Sequence, residues 1–483
     1  MYLGIDAGTS GVKVTLTEDG RRAVGSANSP LEVDRPRPGW SEQDPADWIR
    51  ATEQAIEKLR AQQPLALAAV TGIGLSGQMH GATLLDARDR PLRPCILWND
   101  TRAHREAAEL DADPIFREVS GNIVFPGFTA PKVLWVRRNE PRHFAALHRV
   151  LLPKDYIRLW LTGEYVSDMS DASGTGWLDT GARTWSNALL AATGLDVTRM
   201  PALAEGTDVT GTIRPAVAAA WGMRSDVVVA GGGGDNAATA CGIGTVRAGA
   251  AFVSLGTSGV LFAASDAYSP NAASAVHTFC HAIPATWHQM GVILAATDSL
   301  NWLAGLLGSS ATELIASLGE ELKGPGSVTW LPYLSGERTP HNDASLRAVF
   351  TGLGHESSRT TLTQAVIEGV AFALRDSLEA LRAAGTQLTH VTAVGGGSRS
   401  RYWLRAIATT LGLPVDVPSG GELSAAFGAA RLAQVAATGA SPAEVCTPPE
   451  MSETIEPVAQ LAEAFEARYT HYRSLLGAAR NIS

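Results

Sequence analysis

One tetrapeptide occurs twice in this 483-residue chain, as Gly8-Thr9-Ser10-Gly11 and as Gly256-Thr257-Ser258-Gly259. Each copy follows a short apolar run that reads as a buried strand, Tyr2-Leu3-Gly4-Ile5 first and Ala251-Phe252-Val253-Ser254-Leu255 second. A strand ending in a small-residue turn holds phosphate well. Glycine lets the backbone approach oxygen closely, and hydroxyls and backbone N–H groups supply neutral donors. One copy alone is an ordinary hairpin turn; a second, after another apolar strand, predicts a cleft that grips a polyphosphate from both sides. The copies differ in one informative place. Asp6 stands two residues before the first glycine, where the second copy has Ser254, so only the first turn brings a carboxylate able to face a magnesium ion. Lys13 follows just beyond that first turn.

Strand and helix signals alternate through both halves, the pattern of an α/β protein. The length exceeds what one hydrophobic core usually serves, so two domains are expected. The boundary falls between Gly242 and Ala251, giving residues 1–245 and 246–483, with hinge-like continuity because no low-complexity linker marks it. A helix is expected after Asp44, with Asp44 as its N-cap, Pro45 at its first position and Trp48, Ala55, Ile56 and Leu59 on its apolar face. Another spans about Leu362 to Leu381, where Leu362, Val366, Val370 and Leu374 form a stripe. The C-terminal stretch from about Ser441 carries a helical signal around Leu461 to Leu476 and no chemistry.

Net charge is −9, which argues against nucleic acid or an anionic membrane as partner. Cys95, Cys241, Cys280 and Cys446 are scattered without CxxC spacing, the pattern of reduced thiols rather than of a disulfide framework or a zinc site. No leader or apolar span is expected, and a cytoplasmic location follows.

Three further strand ends carry candidate chemistry. Val70 to Leu75 runs into Ser76-Gly77-Gln78-Met79-His80-Gly81, where Gln78 and His80 are suited to reading polyol hydroxyls. A lone histidine is more often structural, and only its place after a strand raises His80 above that. Asp226 to Ala230 ends in Gly231, Gly232, Gly233 and Gly234, then Asp235-Asn236. A carboxylate just past a buried strand commonly faces a cleft, and phosphoryl transfer needs one to accept the nucleophile's proton. The plainer role for Asp235 is to cap the next helix. Thr389 to Val394 stops at Gly395-Gly396-Gly397-Ser398, which lacks the GxGxxG spacing, and no GxxxxGK[ST] loop exists. A nucleotide enzyme of this make-up therefore needs another phosphate architecture, and the paired turns provide one.

Taken together these segments resemble the FGGY carbohydrate kinases, within the actin-like ATPase superfamily. The resemblance runs from Asp6 to about Ala433. Phe128-Thr129-Ala130-Pro131-Lys132-Val133-Leu134-Trp135 is similar to the family's first signature, and Gly352-Leu353 through Glu368-Gly369-Val370-Ala371-Phe372 to its second. A narrower resemblance, to members acting on D-xylulose, is carried by Ser76 to Gly81, Leu97-Trp98-Asn99-Asp100, Leu152-Pro153-Lys154-Asp155-Tyr156 and Pro332 to Pro340. It implies two actin-like (ribonuclease H-like) α/β domains flanking a catalytic cleft, with sugar on the first and nucleotide on the second. It implies ATP-dependent phosphorylation with Mg2+, Asp235 as catalytic base, and Asp6 near the metal and phosphates. Gln78, Met79, His80, Asp235 and Asn236 are then expected to bind the sugar. Gly8, Thr9, Ser10, Lys13, Gly256, Thr257, Ser258, Gly395, Gly396, Gly397 and Ser398 are expected to bind the nucleotide. One departure stands out: four glycines precede Asp235 where the family pattern leads one to expect three.

Two rivals remain. One is a kinase for gluconate, ribulose or a deoxy-ketose; Met79-His80 in place of an Arg-Glu pair disfavours glycerol. Gluconate calls for a cation, and no basic residue adjoins Gln78-Met79-His80 in the sequence. The other is a nucleotide-gated binding or chaperone module, disfavoured by Asp235, by both signatures and by the lack of a peptide-binding domain after Leu432. Partners are expected to be ATP and a small sugar. The assembly is open on sequence, with a homodimer among the alternatives.

Overall fold

Both copies of the tetrapeptide turn out to join the first two strands of a sheet. The computed structural model describes residues 1–420 and 423–482 and contains two seven-stranded sheets. The first holds β1 (Tyr2–Ala7), β2 (Gly11–Thr17), β3 (Ala23–Pro30), β4 (Gly72–Gly77), β5 (Val209–Thr212), β6 (Val228–Ala230) and β7 (Gly233–Gly234). Its order is β5-β6-β4-β1-β2-β3, with β7 also paired to β4. The second holds β8 (Ala251–Leu255), β9 (Gly259–Ser265), β10 (His277–Cys280), β11 (Trp287–Ile293), β12 (Val391–Val394), β13 (Val415–Pro418) and β14 (Met451–Ile455), ordered β10-β11-β9-β8-β12-β13-β14. Each sheet has an antiparallel meander (β1-β2-β3; β8-β9-β11) continued by two parallel strands (β4, β6; β12, β13). The short motif repeat therefore marks a repeat of topology.

The helices that matter here are α1 (Pro45–Gln62), α2 (Thr129–Asn139), α3 (Pro153–Thr162), α4 (Met169–Ser173), α5 (Asp235–Ile243), α6 (Thr297–Leu306), α7 (Arg359–Ala383), α8 (Ala425–Thr438) and α9 (Ala462–Ile482). Asp44 accepts from the Ala46 N–H to cap α1, whose Trp48, Ala55, Ile56 and Leu59 are buried, as the pattern predicts. In α7, Val366, Val370 and Leu374 are fully buried, and Ser358 and Thr361 close a capping box ahead of the expected start. β4 begins at Gly72 rather than Val70, because the Val70 N–H bonds back to Leu67 and ends a short helix instead. α9 covers the expected tail signal, and its Tyr469 and Tyr472 hydroxyls reach Asp376 and Tyr333 at 2.7 and 2.8 Å.

Helix α8, late in the chain, lies on the first sheet. A Cβ on Gly4 would fall 1.7 Å from the Ala426 carbonyl oxygen, and one on Gly74 1.9 Å from that of Ala429. Helix backbone thus touches strand backbone, a contact only glycine permits. Arg431 on α8 is buried and donates to the carbonyls of Gly20, Cys241, Gly242 and Thr447, tying the β2–β3 connection, α5 and the C-terminal stretch together. Each sheet has its own apolar core. A third cluster, with Met79 and Phe128 from one half and Phe252, Phe262 and Phe279 from the other, forms an apolar seam where the halves meet. All four cysteines are buried free thiols. No helix among the described residues is long and apolar enough to cross a membrane.

Candidate active site

Parallel pairing of β1, β4 and β7 brings three strand ends into one row. Ala7 faces Gly77, which faces Gly234; one row lower, Asp6 faces Ser76, which faces Gly233. The residues that follow these ends, Gly8-Thr9-Ser10, Gln78-Met79-His80 and Asp235-Asn236, therefore emerge side by side. Segments more than 200 positions apart in sequence meet because the register leaves them no alternative.

The glycine run before Asp235 is built for close approach at every position. A Cβ would lie 2.0 Å from the Glu205 carbonyl oxygen at Gly231, 2.1 Å from that of Leu75 at Gly232, and 2.9 Å from the Met79 side chain at Gly234. Gly232 also has φ +77°. The run steps the chain from β6 onto β7. Its carbonyls are clamped by buried Arg158 of α3, which donates to Ala230 and Gly231 at 2.8 and 2.5 Å. The Gly234 N–H donates to Ser170 Oγ at 3.0 Å, and Ser170 in turn donates to Asp168. Lys154, fully buried, holds Asp155 at 2.5 Å, Asp168 at 2.7 Å and Asp171 at 3.2 Å. Burial raises the Asp171 carboxyl well above its usual range, and the neighbouring Asp155 and Asp168 carboxylates add to the shift. The result is an ionic brace beneath the strand end that carries Asp235.

Asp235 opens α5, where the helix N-terminus favours a carboxylate. Its Oδ1 accepts from the Asn236 backbone N–H at 2.7 Å and from Asn236 Nδ2 at 3.0 Å. Burial nonetheless raises its pKa, with those bonds pulling the other way. Such a carboxylate is a better proton acceptor than a solvated one. Asp6 is raised to about 6, first by burial and then by the Asp235 charge, against the Ser76 hydroxyl and Lys13, its cross-strand partner on β2. Asp6 Oδ1 is buried without a hydrogen-bond partner. A hard divalent cation between the phosphates and these carboxylates fits that arrangement, since it supplies the missing partner and relieves the repulsion.

His80 sits at φ +70° and stacks on Phe128, with ring centroids 4.9 Å apart. Its carbonyl accepts from Thr129 Oγ1 at 3.0 Å and from Lys132 Nζ at 3.1 Å, so α2 fixes the strained turn. Burial lowers the His80 pKa to about 3, so the ring is neutral at working pH. Nδ1 lies 2.6 Å from the Gly174 carbonyl and must donate to it, which leaves Nε2 as an acceptor. Gln78 is already engaged: its Oε1 accepts from Thr9 Oγ1 at 3.0 Å and its Nε2 donates to Gln43 Oε1 at 2.9 Å. Gln43 Nε2 donates to the Thr9 carbonyl at 2.8 Å, and Trp98 Nε1 to Thr9 Oγ1 at 3.0 Å. Gln78 thus braces the first turn, and Met79 packs into the apolar seam.

In the second half, the 256–258 turn rests on the start of α6. The Gly256 carbonyl accepts from the Thr297 N–H at 3.0 Å, and the Thr257 carbonyl from the Ala296 N–H at 2.8 Å. Thr257 and Ser258 are exposed. β12 runs parallel to β8, with Ser254 facing Val394, so Gly395 to Ser398 lies beside that turn. A Cβ on Gly395 would fall 2.8 Å from the Leu255 carbonyl oxygen, while Gly396 faces open space. The structure therefore gathers the expected residues into two groups, Asp6 to Ser10 with 78–80 and 235–236, and 256–258 with 395–398.

Sequence reading missed the brace of Lys154, Arg158, Asp168 and Ser170, the Gln43–Trp98 support, and Lys132. Lys132, Trp98 and Lys154 stood in segments that carry the resemblance, without a role. One expectation needs correction. Cations distant in sequence do reach the His80 pocket: Lys132, whose Nζ donates to the His80 carbonyl, and Arg338, from the other half of the chain, add to burial in lowering the His80 pKa. Adjacency in sequence could not show it.

Comparison with known proteins agrees with this geometry. The family models for the N-terminal and C-terminal domains of the FGGY family of carbohydrate kinases match residues 1–242 and 251–437. A xylulose kinase of Escherichia coli (strain K12) is 48% identical over 478 residues, covering 98% of each chain. One from Klebsiella pneumoniae is 51% identical over 438 residues, 90% of each. A crystal structure described as a xyloylose kinase from Brucella ovis superposes with a TM-score of 0.99 at 62% identity, covering 100% of both chains.

Proposed function

The chain belongs to the FGGY family of carbohydrate kinases, with the actin-like two-domain fold and ATP-dependent activity of that family, and we propose that its reaction is phosphorylation of D-xylulose to D-xylulose 5-phosphate. The observation that carries this reading is the single row of strand ends that sets Asp235 beside Asp6 and His80. Relatives named xylulose kinase, similar along nearly the whole chain, support the choice of sugar.

In the proposed reaction the terminal sugar hydroxyl faces Asp235. As the hydroxyl oxygen bonds to the γ-phosphorus, the bond from that phosphorus to the β–γ bridging oxygen breaks and ADP leaves. The hydroxyl proton passes to the Asp235 carboxylate. His80 Nε2 accepts from a second hydroxyl and fixes the sugar's orientation, on a ring held by Phe128 and Gly174. The turns at 8–10 and 256–258 supply donors to the phosphates, with Lys13 beyond the first, and Gly395 to Ser398 lies against the adenosine. Asp6 would hold Mg2+, which when bound neutralises charge building up on the phosphates. The apolar seam keeps the floor of the cleft dry, so ATP is spared hydrolysis. Residues 1–245 act as the sugar lobe and 246–483 as the nucleotide lobe, except that α8 buttresses the former. Four buried free thiols support a cytoplasmic location.

The test is an ADP-release assay with ATP and magnesium against D-xylulose, D-ribulose, gluconate, glycerol and no sugar. Selective turnover of D-xylulose is expected. Turnover of another polyol alone would keep the family and discard the substrate, and sugar-independent ATP turnover would favour a nucleotide-gated module.

A further inference from the structure

Arg338 belongs to the segment Pro332 to Pro340, which carries resemblance but no assigned role. Its backbone is fixed on three sides. Glu337 Oε1 accepts from the Arg338 and Leu294 N–H groups at 2.8 and 2.9 Å. The Thr339 N–H donates to the Val292 carbonyl at 3.1 Å, and Thr339 Oγ1 accepts from the Val292 N–H at 3.0 Å. The side chain on this rigid mount makes no guanidinium hydrogen bond or ion pair with any described residue. Burial also pushes the Glu337 carboxyl up to about 8, so the one acid nearby offers no full counter-charge near neutral pH.

The guanidinium lies 5.5 Å from the Phe125 ring centroid. Phe125 is 5.7 Å from Phe128 and 5.1 Å from His277, and Phe128 carries His80 at 4.9 Å. After burial, the Arg338 charge also helps lower the pKa of His80 and of His277. The contacts through Phe125 and Phe128 thus place Arg338, from the second lobe, on the His80 side of the pocket. A half-buried guanidinium held against one aromatic face and without a hydrogen-bonding partner among the described residues keeps its N–H donors for a ligand.

We propose that Arg338 is the second lobe's contribution to sugar binding: its guanidinium takes oxygens at the end of the substrate remote from the phosphorylated hydroxyl, and by the same contact it admits a polyhydroxy carboxylate as a competing ligand. The proposal rests on the sugar-kinase reading of the cleft. A sugar held by His80 and Arg338 at once bridges the two lobes.

The experiment compares wild type with Arg338→Met and Arg338→Lys in steady-state kinetics, with D-xylonate as the carboxylate probe. Wild type is expected to be inhibited by D-xylonate competitively with D-xylulose. Arg338→Met is expected to raise KM for D-xylulose about 10- to 100-fold, the usual loss for charge-assisted bonds, and to abolish that inhibition. Its KM for ATP and its melting temperature stay near wild type, since the only protein contact of the guanidinium among the described residues that is lost is the one with the Phe125 ring. Arg338→Lys keeps the inhibition and restores part of the affinity. Unchanged KM for D-xylulose in Arg338→Met, or D-xylonate inhibition that survives it, overturns the proposal, as does a KM rise accompanied by a large fall in melting temperature. Wild-type turnover of another sugar but not D-xylulose rejects the substrate assignment instead, and the same variants are then read with the sugar that is turned over.

Discussion

The first two strands of each sheet, with the tetrapeptide turn between them, are the same device put to different uses. In the first hairpin, Asp6 faces Lys13 across the ladder; in the second, the matching pair is Ser254 and Val260. The first turn is pinned by side chains, with Gln43, Gln78 and Trp98 all bonded to Thr9. The second is pinned by backbone N–H groups at the start of α6 and leaves Thr257 and Ser258 exposed. The parallel strand that follows leads to His80 in one sheet and to a bare glycine loop in the other. Topology repeats while charge does not: the strand-end carboxylates and His80 collect on one lobe, and the second turn offers neutral donors. The division suits a phosphoryl transfer in which one lobe handles the acceptor and its proton and the other holds the donor.

That division is broken most directly at Asp235. Asp235→Ala is expected to cut kcat by at least ~10²-fold, the usual floor for loss of a general base, while ADP affinity stays within a few-fold. Near-wild-type turnover would falsify the assignment of the base to the first lobe. Next in size is a structural contrast between the lobes. Gly74→Ala drives a Cβ into the Ala429 backbone and is expected to cost about 3 kcal/mol, the upper range for overpacking. Gly396→Ala, facing open space, is expected to change stability by less than about 0.5 kcal/mol. Calorimetric unfolding of both variants checks this, and equal destabilisation would mean that α8 does not buttress the first sheet as described.

The carboxylate pair gives a pH test. Asp6, raised to about 6, is neutral below that pH and charged above it. If it meets the metal, affinity for Mg·ADP rises with pH through about 6, by up to tenfold per pH unit, and levels off above. Asp235→Asn removes the second cause of the shift, so the midpoint moves lower. The nucleotide's own titration is common to both proteins, so the difference between them is the signal. Identical profiles by titration calorimetry from pH 5 to 7.5 would uncouple the two carboxylates.

The sequence alone showed the turns, the strands they follow and the apolar stripe of α7, because all of these are local and periodic. Asp235 and His80 stood out for the same reason, each next to a strand end. What stayed hidden depends on which distant segments meet. Nothing local to residues 425–438 says that they lie on a sheet begun at Tyr2; the signal was in Gly4, Gly72 and Gly74, glycines inside strands with no turn to explain them. The four glycines before Asp235 looked like a departure, and become necessary only once Glu205, Leu75 and Met79 are seen against them. Gln78 stood out as a sugar reader, and its bonds to Thr9 and Gln43 came into view only in the structure. Arg338 could not be linked to His80 across more than 250 residues by any spacing rule.

The smallest effect is the sharpest probe of the comparison between the turns. Thr257→Ala removes one neutral donor from an exposed turn that backbone bonds hold in place. A neutral hydrogen bond contributes about 1 kcal/mol, so KM for ATP should rise roughly fivefold, with KM for sugar and the melting temperature unchanged. Thr9→Ala removes the hydroxyl that joins Gln78 to Trp98, so it should disturb the sugar side as well, raising KM for both substrates and lowering the melting temperature. Steady-state kinetics of the two variants side by side separate the cases. If Thr9→Ala affects ATP alone, the two turns are equivalent phosphate grips, and the asymmetry of the cleft rests on Asp6 and its neighbours only.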